Sequence, residues 1–325
     1  MGTVGGETIE QTIANRDRWW DAYGLDVRIG AVIGLGGALV TTDPDGLTDD
    51  LLRGLVRSRR AGQALREAAA GRELVEPPEA IALLINQGPV IVMDAAAGEE
   101  TAALDGRALA SGAGVVLSNK APLALPLANP LAAQLWSAAG PRGHVRYEAT
   151  CGAGLPVIST LRSLLDTGDE PVEIVGALSG TLGAIFTDLG AGAPFSDAVR
   201  SAKANGFTEP DPRDDLSGLD VARKALILAR TIGRRADLDE VAVESLVPPH
   251  LATVGVEEFL DRAGDLDAEF AERAARARAN GAALKYVATV TPDGPLAVGV
   301  REVPTGTVLG SLQGPENVIA IRTRR

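Results

Sequence analysis

With 325 residues, 46% of them hydrophobic, and a net charge of −12, the chain has room for two domains and lacks the basic surplus that neutralising nucleic-acid phosphates requires. No apolar run is long enough to cross a bilayer, and the opening residues "MGTVGGETIEQ" lack the basic and apolar stretches of a secretory signal, so a cytoplasmic protein without membrane or nucleic-acid partners is expected. The single cysteine, Cys151, excludes a disulfide within this sequence, and two histidines supply too few ligands for a structural zinc site.

In chain order, "MGTVGGE" puts Gly2 and Gly5 at the spacing of the last two glycines of G-x-G-x-x-G, ahead of a helix over about 7–22. In the full motif a strand comes first, and the turn after it brings backbone N–H groups and a helix N-terminus to a pyrophosphate. The sequence begins inside that pattern, so a first strand is expected to be missing. Burying four or five strand side chains contributes on the order of 10 kcal/mol, comparable to the net stability of a domain, so a longer natural chain is expected. A flexible glycine-rich terminus is the other reading of the same residues. Strands follow over 26–33, 88–94 and 114–119, alternating with helices over 47–60 and 100–111. Short apolar strands between helices predict a doubly wound, Rossmann-like parallel sheet buried on both faces. After 26–33 an acid would favour NAD and a basic group NADP, but "GLGGA" (34–38) offers neither, and the choice stays open.

From about 147 the pattern becomes α+β, giving a dinucleotide-binding domain over 1–146 and a substrate-binding domain over 147–325. A strand is predicted over 171–178, a helix over 195–206 with Ser196 as cap and Gly206 as stop, and another helix over 217–233. "ALKYVATVT", "LAVGVREV" and "NVIAIRT" read as strands, the first two joined by "PDG" (292–294) as a hairpin.

"TEPDPRDDLSGLDVARK" (208–224) carries the chemistry. One reading is a solvated helix start, with Asp214 and Asp215 as caps and Asp220 to Lys224 as an ordinary i,i+4 pair. The other is a site. The helix is apolar around most of its girth, which puts Asp220 and Lys224 at a partly buried rim. Pro210 and Pro212 hold the preceding backbone extended and carry Glu209 and Asp215 toward the same helix start. Against 27 arginines, lysine occurs only at 120, 203, 224 and 285, and lysine alone of the two can give up its proton.

That segment resembles the active-site signature of the homoserine dehydrogenases, which interconvert L-homoserine and L-aspartate 4-semialdehyde on the route to threonine and methionine. "VVLSNKAPLA" (115–124), "YEATCGAGLPVISTL" (147–161) and "IVGALSGTLGAIF" (174–186) resemble further blocks of the family, in family order. The resemblance implies that Lys224 is the catalytic lysine, Asp220 its acidic partner and Lys120 a lysine near the nicotinamide and the reacting oxygen. It implies Glu209, Asp215 and Thr181 on the substrate, and Gly2, Thr3, Val4, Ser118, Lys120 and Gly206 on NADP or NAD. It also implies a monovalent cation (Na+ or K+) on the backbone carbonyls of Glu148, Cys151, Ala153 and Leu155, and a homodimer joined through the second domain. The sequence departs from the family at "MDAAAGEE" (93–100), where Ala95 to Ala97 replace common Thr and Ser, and at its C-terminus, where a return helix is expected and absent. A non-catalytic homologue that binds an amino acid as a sensor or assembly partner is therefore the alternative.

Overall fold

The computed structural model describes residues 2–140 and 142–325, and the chain divides into two compact units, Met1–Tyr147 and Glu148–Arg325. The first unit runs α1 (Thr3–Tyr23), β1 (Ala31–Gly34), β2 (Gly37–Val40), α2 (Asp49–Arg60), α3 (Leu65–Ala68), α4 (Pro77–Ile85), β3 (Ile91–Asp94), α5 (Ala102–Ala110), β4 (Gly114–Leu117), α6 (Pro130–Ala138) and β5 (Val145–Arg146).

Helix α1 begins at Thr3, ahead of the expected Glu7, so Gly5 and Gly6 lie in its first turn and Gly6 is buried against Val56 of α2. The stretch 26–33, expected as a parallel strand, instead feeds an antiparallel hairpin in which Ala31 faces Val40 and Gly34 faces Gly37. Gly36 and Gly37 adopt φ of 89° and 135°, which reverses the chain at once and leaves no room for a crossover. Helix α2 follows the charge rule for helix ends, with Asp49 and Asp50 in its first turn, Arg57, Arg59 and Arg60 in its last, and Thr48 as N-cap. Ile9, Val32, Leu39, Leu52, Leu55 and Val56 close a core between α1, the hairpin and α2.

The three-stranded parallel sheet has the order β3-β4-β5, with α5 and α6 as the crossovers. Its strands are shorter than the expected 88–94 and 114–119. On β4, Val115 and Leu117 are fully buried, but edge strand β3 exposes Ile91 (73%) and Met93 (38%). Burial on both faces, expected from the continuous apolar runs, is thus not reached at this edge.

The second unit runs α7 (Val157–Asp166), β6 (Pro171–Ala177), α8 (Gly180–Gly190), α9 (Phe195–Ala204), α10 (Pro212–Leu216), α11 (Leu219–Thr231), β7 (Ala242–Val243), α12 (Val256–Arg262), α13 (Asp267–Ala279), β8 (Ala282–Val290), β9 (Leu296–Pro304), α14 (Val308–Ser311) and β10 (Val318–Thr323). Its sheet has the order β10-β6-β8-β9-β7, antiparallel except for β7 beside β9. The β8–β9 hairpin across 292–294 is the one the turn residues predict. Helices α8, α11 and α13 pack on β8, and Phe195 stacks on Phe270 at 4.3 Å while Phe186 meets it edge-on at 6.1 Å. No helix among the described residues is long and apolar enough to cross a membrane.

Two local expectations change. Ser196 does not cap α9: it sits in the first turn, where its N–H (2.7 Å) and its hydroxyl (2.9 Å) both donate to Asp267 of α13. The cap comes from a carboxylate remote in sequence, which no local motif announces. The helix expected over 217–233 is preceded by separate α10, because Pro212 occupies a first helical position instead of extending the chain. Asp214 and Asp215 therefore belong to the first turn of α10, and Gly218, at φ 75°, caps α11.

A Cβ on Gly218 would overlap the Tyr286 hydroxyl, which donates to Glu244 O at 2.8 Å. Gly218→Ala combines that overlap with a left-handed conformation and is expected to lower stability by about 2 to 4 kcal/mol. A urea midpoint equal to wild type would show that this turn is free to rearrange.

Candidate active site

Residues 206–224 are shaped by their own turn chemistry. Gly206, at φ 72°, ends α9. Asp211 then caps α10, accepting from Arg213 N–H at 3.0 Å, and forms an ion pair with the Arg213 guanidinium at 2.6 Å. That guanidinium also donates to the carbonyls of Leu251, Ala252 and Val254, so its charge is used in joining α10 to the segment after Leu251. The Arg213 bonds hold the Asp211 carboxyl below its usual range.

The single turn of α10 delivers Asp215 to Thr181, in the first turn of α8. Asp215 Oδ1 lies 2.9 Å from the Thr181 hydroxyl, and Oδ2 accepts from Glu209 N–H at 2.8 Å. The same hydroxyl donates to Phe207 O at 2.5 Å. The hydroxyl has one hydrogen, which the two acceptors Asp215 Oδ1 and Phe207 O share. Burial raises the Asp215 carboxyl, the bonds from Glu209 and Thr181 oppose this, and the charges of Asp220 and Asp214 raise it further.

One turn into α11, Asp220 meets Lys224 with Oδ2 at 2.8 Å from Nζ. The lysine side chain is only 15% exposed against 43% for the aspartate, and Nζ also donates to Leu178 O at 2.6 Å. Leu178 follows β6, Ser179 caps α8 by accepting from Leu182 N–H, and Thr181 comes next. The turn 178–181 thus touches both clusters: its first carbonyl holds Lys224 and its last side chain holds Asp215. Lys224, Asp220, Asp215, Thr181 and the Glu209 backbone are brought together here, while the Glu209 side chain is exposed. An ammonium has three N–H groups, and with two committed, one is left for a ligand. A cation with a carboxylate and a neighbouring protonatable acid suits proton transfer at a hydroxyl and recognition of an ammonium.

The segment 148–155 reverses sharply, with Gly152 at φ 80° and Ala153 at φ 53°. The Glu148 carboxylate caps α7, accepting from Ile158 N–H (2.8 Å) and Ser159 N–H (2.9 Å). Cys151 is buried and points its thiol at Lys224 O, 3.6 Å away. Among the expected carbonyls, that of Leu155 already accepts from Val157 N–H at 2.9 Å.

In the first unit, Gly2 caps α1 with extended backbone, and the first intrahelical bond runs from Gly6 N–H to Gly2 O, so the N–H groups of Thr3, Val4 and Gly5 open the helix. Gly2, Thr3 and Gly6 border a cavity of about 410 Å³ that is also lined by Val56, Arg59 and Arg60. Arg60 is paired with Glu7 at 2.6 Å. Sequence reasoning sought a basic group directly after 26–33 and missed these arginines. Their signal, "VRSRR" (56–60), reads equally well as ordinary charge at a helix C-terminus. Ser118 and Lys120 follow β4, with Ser118 N–H bonded to Asp94 O at 2.8 Å.

The homoserine dehydrogenase family model matches residues 156–325, more than half of the chain. A bifunctional aspartokinase/homoserine dehydrogenase of Arabidopsis thaliana is 45% identical over 184 residues, which are 56% of this chain and 20% of that protein. The chain therefore spans about a fifth of the length of this relative. The homoserine dehydrogenase of Saccharomyces cerevisiae is 37% identical over 244 residues, covering 73% of this chain and 67% of the yeast protein. A solved hyperthermophilic archaeal homoserine dehydrogenase in complex with NADPH superposes with a TM-score of 0.71 at 22% identity, covering 99% of this chain and 85% of that one, and shares the fold.

Because the Thr181 hydroxyl lowers the Asp215 titration, Thr181→Val is expected to move the midpoint of the Asp215 carboxyl upward, read from its carbon-13 shift against pH. An unchanged midpoint would mean that the hydroxyl serves Phe207 O alone.

Proposed function

Because the chain belongs to the homoserine dehydrogenase family, we propose that it catalyses the NAD(P)-dependent interconversion of L-homoserine and L-aspartate 4-semialdehyde, as a cytoplasmic homodimer joined through the second unit. The observation that carries this reading is the Lys224 ammonium, held between Asp220 and Leu178 O with one N–H left over. The dinucleotide, when bound, supplies the hydride chemistry. Lys224 moves the hydroxyl proton, directly or through water, and Asp220 orients the ammonium and balances its charge. Asp215 and Glu209 receive the substrate ammonium. Thr181 fixes Asp215 for that purpose and keeps the 207–209 backbone beside it.

On the cofactor side, the open N–H groups of Thr3 and Val4 at the start of a 21-residue helix fit a pyrophosphate, and Gly2 lets the backbone come close. Ser118 and Lys120 hold the nicotinamide end, and Gly206 is read as a further cofactor contact. Arg59 beside the same cavity supports NADP over NAD, since the extra phosphate needs a cation. The tight 148–155 turn fits a monovalent cation on the carbonyls of Glu148, Cys151 and Ala153, with Leu155 O shared with Val157 N–H.

Lys224→Ala is expected to lower homoserine oxidation at least about 100-fold while changing the NADPH dissociation constant less than about threefold. Turnover near wild type would remove the role given to this lysine. Amino-acid binding by calorimetry without any dinucleotide binding would instead support a sensor. Arg59→Ala is expected to weaken NADPH about tenfold and NADH little, the difference shrinking in high salt. Equal losses for both cofactors would place the extra phosphate elsewhere.

A further inference from the structure

The C-terminal ends of β3 and β4 hang on one carboxylate. Asp94 closes β3 and is 5% exposed. Its Oδ1 accepts from Ala96 N–H at 2.8 Å, and its Oδ2 accepts from the Thr101 hydroxyl at 2.7 Å and from Asn119 Nδ2 at 3.0 Å. Its backbone carbonyl accepts from the N–H groups of Ser118 (2.8 Å) and Asn119 (3.2 Å). Asn119 in turn donates to Gly98 O at 2.8 Å and accepts from Ala121 N–H at 3.1 Å, which closes the turn on both sides of Lys120.

A second carboxyl faces this hub. Asp105, in α5, is 1% exposed, its Oδ2 is buried without a donor among the described residues, and the nearby Asp94 carboxylate acts on it. Helix α5 packs on α4, α6, β3 and β4. The ionisable groups on and around these elements are Glu76, Glu79, Asp94, Glu99, Glu100, Arg107 and Lys120, and of them Asp94 acts on Asp105. Burial first, and then the Asp94 charge, push Asp105 up to about 8. Ionised, the pair would bring two negative charges together out of water. With a proton on Asp105, it donates to Asp94 and the hub is complete.

We propose that the Asp94–Asp105 pair, sharing one proton, is the positioning element for Ser118 and Lys120, and that loss of the proton loosens the turn that presents them to the cofactor. This rests on the reading of the first unit as the dinucleotide site. Asp105→Asn tests it, because an amide keeps a donor toward Asp94 and cannot ionise. The sign follows from linkage: the folded value of about 8 exceeds the ordinary 3.8, so stability falls as pH rises between those values and is then level.

The melting temperature of Asp105→Asn relative to wild type is therefore expected to climb from about pH 4 to about pH 8 and then to stay constant. NADPH titrated by fluorescence is expected to bind wild type at least about fivefold more weakly at pH 9 than at pH 7, and Asp105→Asn less than about twofold more weakly. A flat melting difference overturns the shared proton. Equal pH dependence of NADPH affinity in both proteins overturns the positioning role while leaving the cofactor site intact. Absence of NADPH binding to wild type at pH 7 overturns the dinucleotide site itself, and the positioning role with it, whereas the melting profile still decides on the proton.

Discussion

The second unit depends on keeping one ammonium charged at a place that is mostly out of water. Withdrawing a lysine head from solvent costs several kcal/mol unless its N–H groups find acceptors. Helix α11 draws Lys224 inward because Val221, Ala222, Ala225, Leu226, Leu228 and Ala229 are all buried, and the rigid helix carries the lysine with them. The acceptors are Asp220, one turn back, and Leu178 O. Leu178 falls in the gap between the last residue of β6 and the Ser179 cap of α8, where its carbonyl is outside both the ladder and the helix. The break between strand and helix is what makes the carbonyl available, so the position of the charge is written into the topology of the sheet.

How much of this was legible follows from the range of each interaction. Asp220 and Lys224 are four apart on a helix, and sequence periodicity finds such pairs. The β8–β9 hairpin and the helix ending near Gly206 are likewise set by neighbours in sequence. Thr181 and Asp215 are 34 apart, and no pattern in the chain points from one to the other; only family resemblance selected both. The Leu178 contact uses a backbone atom, which has no residue identity to read. The misreadings are equally specific. Gly36 and Gly37 turn an apolar run into a hairpin, Pro212 starts a helix where it was expected to prevent one, and Ser196 yields its capping role to Asp267, 71 residues away. Each was a choice between two local structures that tertiary packing settled.

The first unit shows the same contrast. The helix α2 charges were readable as end charges, but their nearness to the start of α1 depends on the packing of Ile9 and Gly6 against α2. Ala95 to Ala97 bring no polar side chain, and Asp94 gathers its donors from Ala96 N–H, Thr101 and Asn119.

The aspartates separate by the kind of donor each meets, and this decides which of them can serve a ligand. Asp211 is bonded to a guanidinium that stays charged at any working pH, so its charge is already neutralised and a second cation gains little from it. Among the described residues Asp215 accepts from neutral donors, an N–H and a hydroxyl, in a half-buried setting that raises its titration. A cation brought to such a carboxyl supplies the compensation that burial withholds. Asp220 stands between these limits, half exposed and paired with a lysine whose proton can leave. Three carboxylates within ten residues of one another thus differ in how far their charge is compensated, through their partners alone. Of the three, Asp215 is the one whose charge a cation would compensate most.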